Sequence, residues 1–158
     1  GDGCLMEGIN HEAIGLAGHL KLGRLIVLWD DNNITIDGEV GLSSSEDIPA
    51  RYRATGWHSV ACDGHDPASI RAALDEALAD PRPSLVACKT IIGKGAPNKA
   101  GTSKVHGSPL GADEVAAARV AMDWPHAPFV VPGDVLAGWR ALGAKGAEAR
   151  AQWEARLA

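Results

Sequence analysis

Two short polar stretches about thirty residues apart carry groups suited to a hard cation and an anion. Asp2 offers a carboxylate oxygen and Asn32 an amide oxygen. Two residues beyond Asn32, the carbonyl of Ile34 can turn back toward the same point. Three such protein oxygens, two oxygens of a diphosphate and a water make the octahedron that Mg²⁺ demands. Gly3, beside Asp2, lets the backbone approach a diphosphate closely at a helix start, where unpaired N–H groups favour anions. Either stretch alone reads equally well as a plain turn. Their spacing gives the pair weight, because it equals one strand–helix–strand unit and puts both stretches at the carboxyl ends of adjacent parallel strands. Open α/β sheets take their ligands at that edge.

The elements that must position these residues follow from hydrophobic pattern. Residues 6–20 are apolar or small nearly all round, which predicts a helix for an interior or a large interface, with Gly8, Gly15 and Gly18 lowering its propensity. Residues 24–29 are an uninterrupted apolar run of strand length, as expected of a parallel strand covered on both faces. Ser43-Ser44-Ser45-Glu46 offers a capping box for a helix stopping at Gly56, and residues 57–62 read as a second strand. Asp66-Pro67 is an N-cap with proline at the first helical position. The helix that follows sets Ile70, Ala73, Leu74, Ala77 and Leu78 on one stripe, and residues 84–89 are a third buried strand. This alternation predicts an α/β fold, a parallel sheet flanked by helices.

Regular structure then lapses. Residues 93–111 are rich in Gly, Pro and Lys without apolar period, and loops of that length are functional or disordered. Residues 112–122 predict a short helix. Pro125, Pro128 and Pro132 suggest an extended linker, and helices are expected near 134–142 and 146–157. The domain boundaries expected are 1–123 and 124–158. Gly1-Asp2-Gly3 looks like the exit of a strand whose body lies upstream, so the fold is expected to be incomplete at its N-terminus.

The 158 residues are 46% hydrophobic, enough for one domain with a core. No apolar run approaches the roughly 18 residues that span a bilayer. The formal net charge of −5 argues against a nucleic-acid or anionic-membrane partner, though backbone amides or a metal can still make a local anion site. Cys4, Cys62 and Cys88 fit neither a disulfide framework nor a zinc knuckle; they read as reduced core thiols of a cytoplasmic protein.

Gly1-Asp2-Gly3 followed by Asn32 resembles the thiamine diphosphate fingerprint. The segments 16–23, Asp30-Asp31-Asn32-Asn33-Ile34-Thr35-Ile36-Asp37-Gly38, Lys89-Thr90-Ile91-Ile92-Gly93-Lys94-Gly95 and Val105-His106-Gly107-Ser108-Pro109-Leu110 all resemble transketolase. The likeness covers nearly the whole chain and is weakest beyond about residue 134. It implies the later part of a diphosphate-binding domain leading toward a pyrimidine-binding domain. It also implies reversible transfer of a two-carbon ketol unit from a ketose phosphate to an aldose phosphate in the pentose phosphate pathway. The cofactors implied are thiamine diphosphate, acting as the electron sink, and Mg²⁺, with Ca²⁺ or Mn²⁺ as substitutes. Two alternatives stay open: a non-catalytic Mg²⁺- and thiamine-diphosphate-binding subunit, and a related ketol transferase such as dihydroxyacetone synthase.

Residue by residue, the resemblance gives Asp2, Asn32 and the Ile34 carbonyl to the metal, and Gly3, Asn32 and His106 to the diphosphate. Ile36 and Ile92 wall the thiazolium ring, and His106 also meets the donor ketose; otherwise His106 is a loop histidine with no task. Glu7 and Glu12 fall where the family has a chain of glutamates and waters joining two active sites across a homodimer. A salt-bridged interface residue is the alternative for Glu12. On one helix the two point about 140° apart, so they are not a carboxylate pair. Lys94, Lys99 and Lys104 either draw in sugar phosphates or are solvated. The glutamate that activates the aminopyrimidine in this family belongs to the pyrimidine-binding domain, so catalysis implies a homodimer of a longer chain or a complementary pyrimidine-domain chain.

Overall fold

Strands Ile26–Asp31 (β1), His58–Asp63 (β2) and Ser84–Lys89 (β3) form a wholly parallel sheet in the order β1-β3-β2. The computed structural model describes residues 1–158. The helices in chain order are Asp2–Met6 (α1), Gly8–His19 (α2), Ile48–Ala54 (α3), Pro67–Ala79 (α4), Ala112–Ala121 (α5), Gly133–Ala144 (α6) and Gly146–Leu157 (α7). The expected α/β layering is therefore present, and the pleat of the central strand accounts for it. Leu85 and Ala87 of β3 face one way, against Leu5, Ile14, Ala17, Ile48 and Tyr52 of α1–α3 with Trp29 and Trp57. Val86 and Cys88 face the other way, against Ile70, Ala73 and Ala77 of α4. A strand buried on both faces must read as a continuous apolar run, and β3 does.

Local chemistry moves several expected boundaries. The first helix begins at Asp2 and breaks at Glu7, whose backbone is extended (φ −66°, ψ 141°). The break leaves the Leu5 carbonyl without a helical donor, and two side chains replace it: Asn10 Nδ2 at 3.0 Å and Arg51 at 2.8 Å. Tyr52 Oη in turn donates to Asn10 Oδ1 at 2.8 Å, so the joint is held by residues more than forty positions away. The expected capping box at residues 43–46 does not form. Asp47 caps α3 instead, accepting from the Ala50 N–H at 2.9 Å, and Glu46 pairs with Arg51 at 3.2 Å. The Asp66 cap is as expected, accepting from the Ala68 and Ser69 N–H groups. The stripe of α4 is narrower than its periodicity suggests: Ala73 and Ala77 are buried, whereas Leu78 is exposed.

Two further expectations are corrected. β1 lies at a sheet edge and exposes Leu28, so it is not covered on both faces as its apolar run suggests. Of the cysteines, Cys62 is buried and Cys88 half-buried, in register on adjacent strands, but Cys4 is exposed and not a core thiol. Burial, then the neighbouring Cys62, pushes the Cys88 thiol up to about 11.

The chain divides into two compact units, Gly1–Ala121 and Met122–Ala158. The second consists of α6 and α7, joined at Lys145, with the preceding residues in no regular element. No helix is long and apolar enough to cross a membrane.

Candidate functional site

Asp2 opens α1, and Asn32 follows the last residue of β1. The Asn32 N–H donates to Asp2 Oδ2 at 3.3 Å across thirty residues of sequence. Asp2 is only 6% exposed, and no Lys, Arg or His forms an ion pair with it. Burial pushes its carboxyl above the usual range; the Asn32 N–H pulls it back, and the like charge of Asp31 adds to the push. A buried carboxylate needs a compensating charge. The chain does not supply one at this point, and a divalent cation would.

The amide of Asn32 is oriented from both sides. Its Nδ2 donates to Asp30 Oδ2 at 3.3 Å, and its Oδ1 accepts from the Ile34 N–H at 2.9 Å. That side-chain turn sets Asn33 in the left-handed region at φ 62° and carries Ile34 back into a buried position. Asp30 is itself held by the hydroxyl of Thr90, just past β3, and the Thr90 N–H donates to the Asp31 carbonyl at 3.1 Å. Sequence reasoning missed Asp30 and Thr90. The signal available was the alignment of Asp30-Asp31 with Cys88-Lys89, which needs the strand order. No cluster of three or more His, Cys, Asp or Glu side chains exists, so a cation here depends on a mixed set of carboxylate, amide and carbonyl oxygens. Hard oxygens in such a set suit Mg²⁺.

The remaining site residues divide by place. Gly3 lies in the first turn of α1, beside Asp2, with open space where a Cβ would be. Ile92 is three residues past β3, and its carbonyl accepts from the Gly101 N–H at 2.8 Å. His106 is exposed, on the turn closing Ser103–Val105. Gly93 connects the two: its φ is 65°, and a Cβ there would lie 2.9 Å from Val105 Cγ2, so the chain next to His106 packs on the chain next to Ile92. Ile36 is 71% exposed beyond the Asn33–Ile34 turn. Glu7 and Glu12 are both exposed and make no ion pair. Because Glu7 occupies the break between α1 and α2, the helical angle that separated the two carboxylates in sequence does not apply to them.

The expectations for the loop lysines also change. Lys99 Nζ donates to the Leu110 carbonyl at 2.7 Å, so this lysine braces the loop, while Lys94 and Lys104 are exposed. A cleft of about 800 Å³ opens at the carboxyl ends of β2 and β3, lined by Asp63, His65, Lys89, Thr90, Ile91 and Lys94 among others. His65 Nε2 accepts from the Ile91 N–H at 2.8 Å and so fixes the first residues of the loop. Lys89 is paired with Asp31 at 3.2 Å.

Comparison with known proteins gives the family. Residues 1–158 match the family model described as transketolase, thiamine diphosphate binding domain. The chain is 61% identical over 157 residues to a transketolase of Cereibacter sphaeroides, covering 99% of this chain and 24% of the relative. It is 58% identical over 158 residues to one of Rhodobacter capsulatus, covering 100% of this chain and 24% of the relative. Among solved structures, a transketolase from Campylobacter jejuni superposes with a TM-score of 0.90 at 36% identity, over 97% of this chain and 24% of that one. A Pichia stipitis transketolase in complex with sedoheptulose 7-phosphate gives 0.89 at 43% identity, over 97% of this chain and 23% of that one. The chain thus spans about a quarter of the length of the relatives it matches. With the parallel sheet found in solved transketolases and the family match over every residue, this chain belongs to the transketolase family, as a segment of its thiamine diphosphate binding domain.

Proposed function

We propose that this chain supplies the metal–diphosphate grip of a transketolase that transfers a two-carbon ketol unit reversibly from a ketose phosphate to an aldose phosphate. The observation carrying this reading is Asp2, a buried carboxylate without a cationic partner, bonded to Asn32 at the carboxyl edge of a parallel sheet. Asp2, Asn32 and the Ile34 carbonyl would hold Mg²⁺, or Ca²⁺ or Mn²⁺ in its place. Gly3, Asn32 and His106 would bind the diphosphate, with Ile36 and Ile92 against the thiazolium ring. Thiamine diphosphate, when bound, supplies the electron sink for breaking the carbon–carbon bond.

The chain's own residues bind and orient. Asp30, itself held by Thr90, takes the Asn32 Nδ2, and the Ile34 N–H takes its Oδ1, so the orientation of the amide is set before any metal binds. His106 stands exposed on a braced loop, where its ring can donate to a cofactor oxygen or to a substrate hydroxyl. Glu7 and Glu12, with Ile9 and Leu16 exposed on the same helical segment, fit the face of a homodimer of the complete enzyme, in which the glutamates would connect two active sites. A complementary pyrimidine-domain chain is the other arrangement that would complete the site. The cysteines are all unpaired, which suits the reducing cytoplasm.

The test is ketol transfer by the complete enzyme and by its His106→Ala variant. The complete enzyme is expected to transfer ketol units between sugar phosphates. Loss of a hydrogen bond to a charged group costs about 1.5–3 kcal/mol, which is about ten- to more than a hundredfold in kcat/KM if realised in the transition state. An exposed loop substitution should change stability by about 0.5 kcal/mol or less. Near-normal kcat/KM, or an early thermal transition, would remove His106 from the site.

A further inference from the structure

The loop 93–111 has no apolar period, yet its backbone is closely bonded, and a single carboxylate holds its middle. Glu114, in the first turn of α5, is 6% exposed. Its Oε1 accepts from the Asn98 N–H at 2.8 Å and the Lys99 N–H at 3.1 Å, and its Oε2 accepts from Asn98 Nδ2 at 2.9 Å. From the residues so held, bonds run both ways along the loop. Thr102 Oγ1 donates to the Lys99 carbonyl at 2.7 Å, Lys99 Nζ reaches the Leu110 carbonyl, and the Gly101 N–H donates to the Ile92 carbonyl. Ile92 lies at one end of this network, and Val105, packed on Gly93, carries His106 at the other.

We infer that Glu114 is the positioning residue of the cofactor loop: by bonding Asn98 and Lys99, it sets Ile92 and His106 in the geometry that receives thiamine diphosphate. The inference rests on the transketolase reading for what the loop binds, but not for the clamp itself. Carboxylate acceptors make stronger bonds than neutral ones, and two backbone N–H groups aimed at one oxygen atom favour an anion there. Glutamine is nearly isosteric but has one neutral acceptor oxygen in place of two sharing a charge, and its NH₂ would face Asn98 Nδ2 when its oxygen takes the two backbone N–H groups, so one substitution separates charge from shape. Asp113, exposed in the same turn of α5, has the same relation to the helix dipole without touching the loop, and so serves as the control.

The experiment uses the complete enzyme in three forms, wild type, Glu114→Gln and Asp113→Asn. Asn98→Ala is added, should Glu114→Gln fail to fold, to remove the one side-chain bond of the clamp, Asn98 Nδ2 to Glu114 Oε2, while keeping both backbone N–H donors. Trypsin reports loop order directly through Lys94, Lys99 and Lys104. The thiamine diphosphate concentration giving half-maximal rate is measured beside kcat at saturating cofactor and beside the thermal midpoint. For Glu114→Gln we expect loop cleavage and the half-saturating cofactor concentration each to rise at least about tenfold, and for Asn98→Ala a smaller rise in the same direction, since one of three bonds is lost. Saturated kcat should fall by less than the cofactor constant rises, because bound cofactor re-forms the loop that carries His106, and Asp113→Asn should match wild type. Unchanged cleavage and an unchanged cofactor constant in both clamp variants, or the same shifts in Asp113→Asn, would overturn the inference. If the wild-type enzyme transfers no ketol unit, the functional reading fails by itself, and the cleavage arm still decides whether Glu114 holds the loop.

Discussion

At Asp2 the fold withdraws a carboxylate from water and returns backbone N–H donors, chiefly that of Asn32, while the like charge of Asp31 works against ionisation. The metal-free chain is therefore strained electrostatically at the point where the metal is proposed to bind. This gives opposite signs for stability and binding. A carboxyl whose folded value is raised destabilises the folded state above that value, and the effect disappears below its ordinary value near 3.8, where both states are protonated. Asp2→Asn should therefore stabilise the metal-free chain at neutral pH, with the gain vanishing in acid. The same variant should lose the stabilisation expected of the wild type with Mg²⁺ and thiamine diphosphate, about 2.7 kcal/mol at a hundred times Kd. Thermal melts across pH, with and without Mg²⁺ and cofactor, check both halves, and a destabilised metal-free variant would remove the argument from buried charge. Asp2 and Asn32 were legible in the sequence because their spacing matches one strand–helix–strand unit. Asp30 and Thr90 were not, since their meeting depends on β3 lying between β1 and β2.

Helix α2 shows at element scale how packing overrides propensity. Gly15 and Gly18 lower its intrinsic stability alike, but their surroundings differ. A Cβ at Gly15 meets nothing within 4 Å, whereas one at Gly18 would lie 1.8 Å from the Thr55 carbonyl oxygen. Trp57 Nε1 donates to the Ile14 carbonyl at 2.9 Å nearby, so α2 lies directly against the turn that leads into β2. Gly15→Ala should raise stability by up to about 1 kcal/mol through helix propensity. Gly18→Ala should lower it by about 1–3 kcal/mol or more, because backbone must move away from backbone. Chemical denaturation of the two variants checks this: stabilisation by both would show that propensity alone governs the helix, and destabilisation by both that Gly15 is packed as tightly as Gly18. The same competition explains what the pattern of apolar residues left unread. The three strands and the Asp66 cap were legible because their signals are local. The break at Glu7 was not, because the Leu5 carbonyl it frees is satisfied by Asn10 and by Arg51 far along the chain. Loop 93–111 seemed structureless for a related reason: its order comes from Glu114 and Lys99, through polar bonds that have no period.

Across the whole chain, apolar surface remains open in both units. Ile9, Leu16 and Leu20 of the first unit are exposed along α2 and its end, and Leu28 is exposed on the edge strand. In the second unit Trp139 and Leu142 of α6 and Trp153 and Leu157 of α7 are exposed, although α6 and α7 pack on each other. Exposed apolar area on this scale marks surfaces that meet other protein, and the relatives are about four times as long as this chain. The chemistry divides in the same way. The proposed metal and diphosphate ligands come from these 158 residues, but the glutamate expected to activate the aminopyrimidine belongs to the pyrimidine-binding domain. Binding and turnover should therefore separate in the isolated chain. With saturating Mg²⁺ and thiamine diphosphate it should bind the diphosphate end of the cofactor and gain thermal stability, yet transfer no ketol unit above the blank. General acid–base groups contribute about 10²–10⁴-fold each, so a ring without its activating glutamate should turn over far more slowly. Adding a separately expressed pyrimidine-binding domain should restore activity with a dependence on its concentration, since the two parts must associate to complete the site. The measurement is a coupled ketol-transfer assay on rigorously purified chain, beside calorimetric titration of the cofactor. Turnover by the chain alone would contradict the division of labour, and an absence of both binding and complementation would remove the Asp2–Asn32 corner as the metal grip.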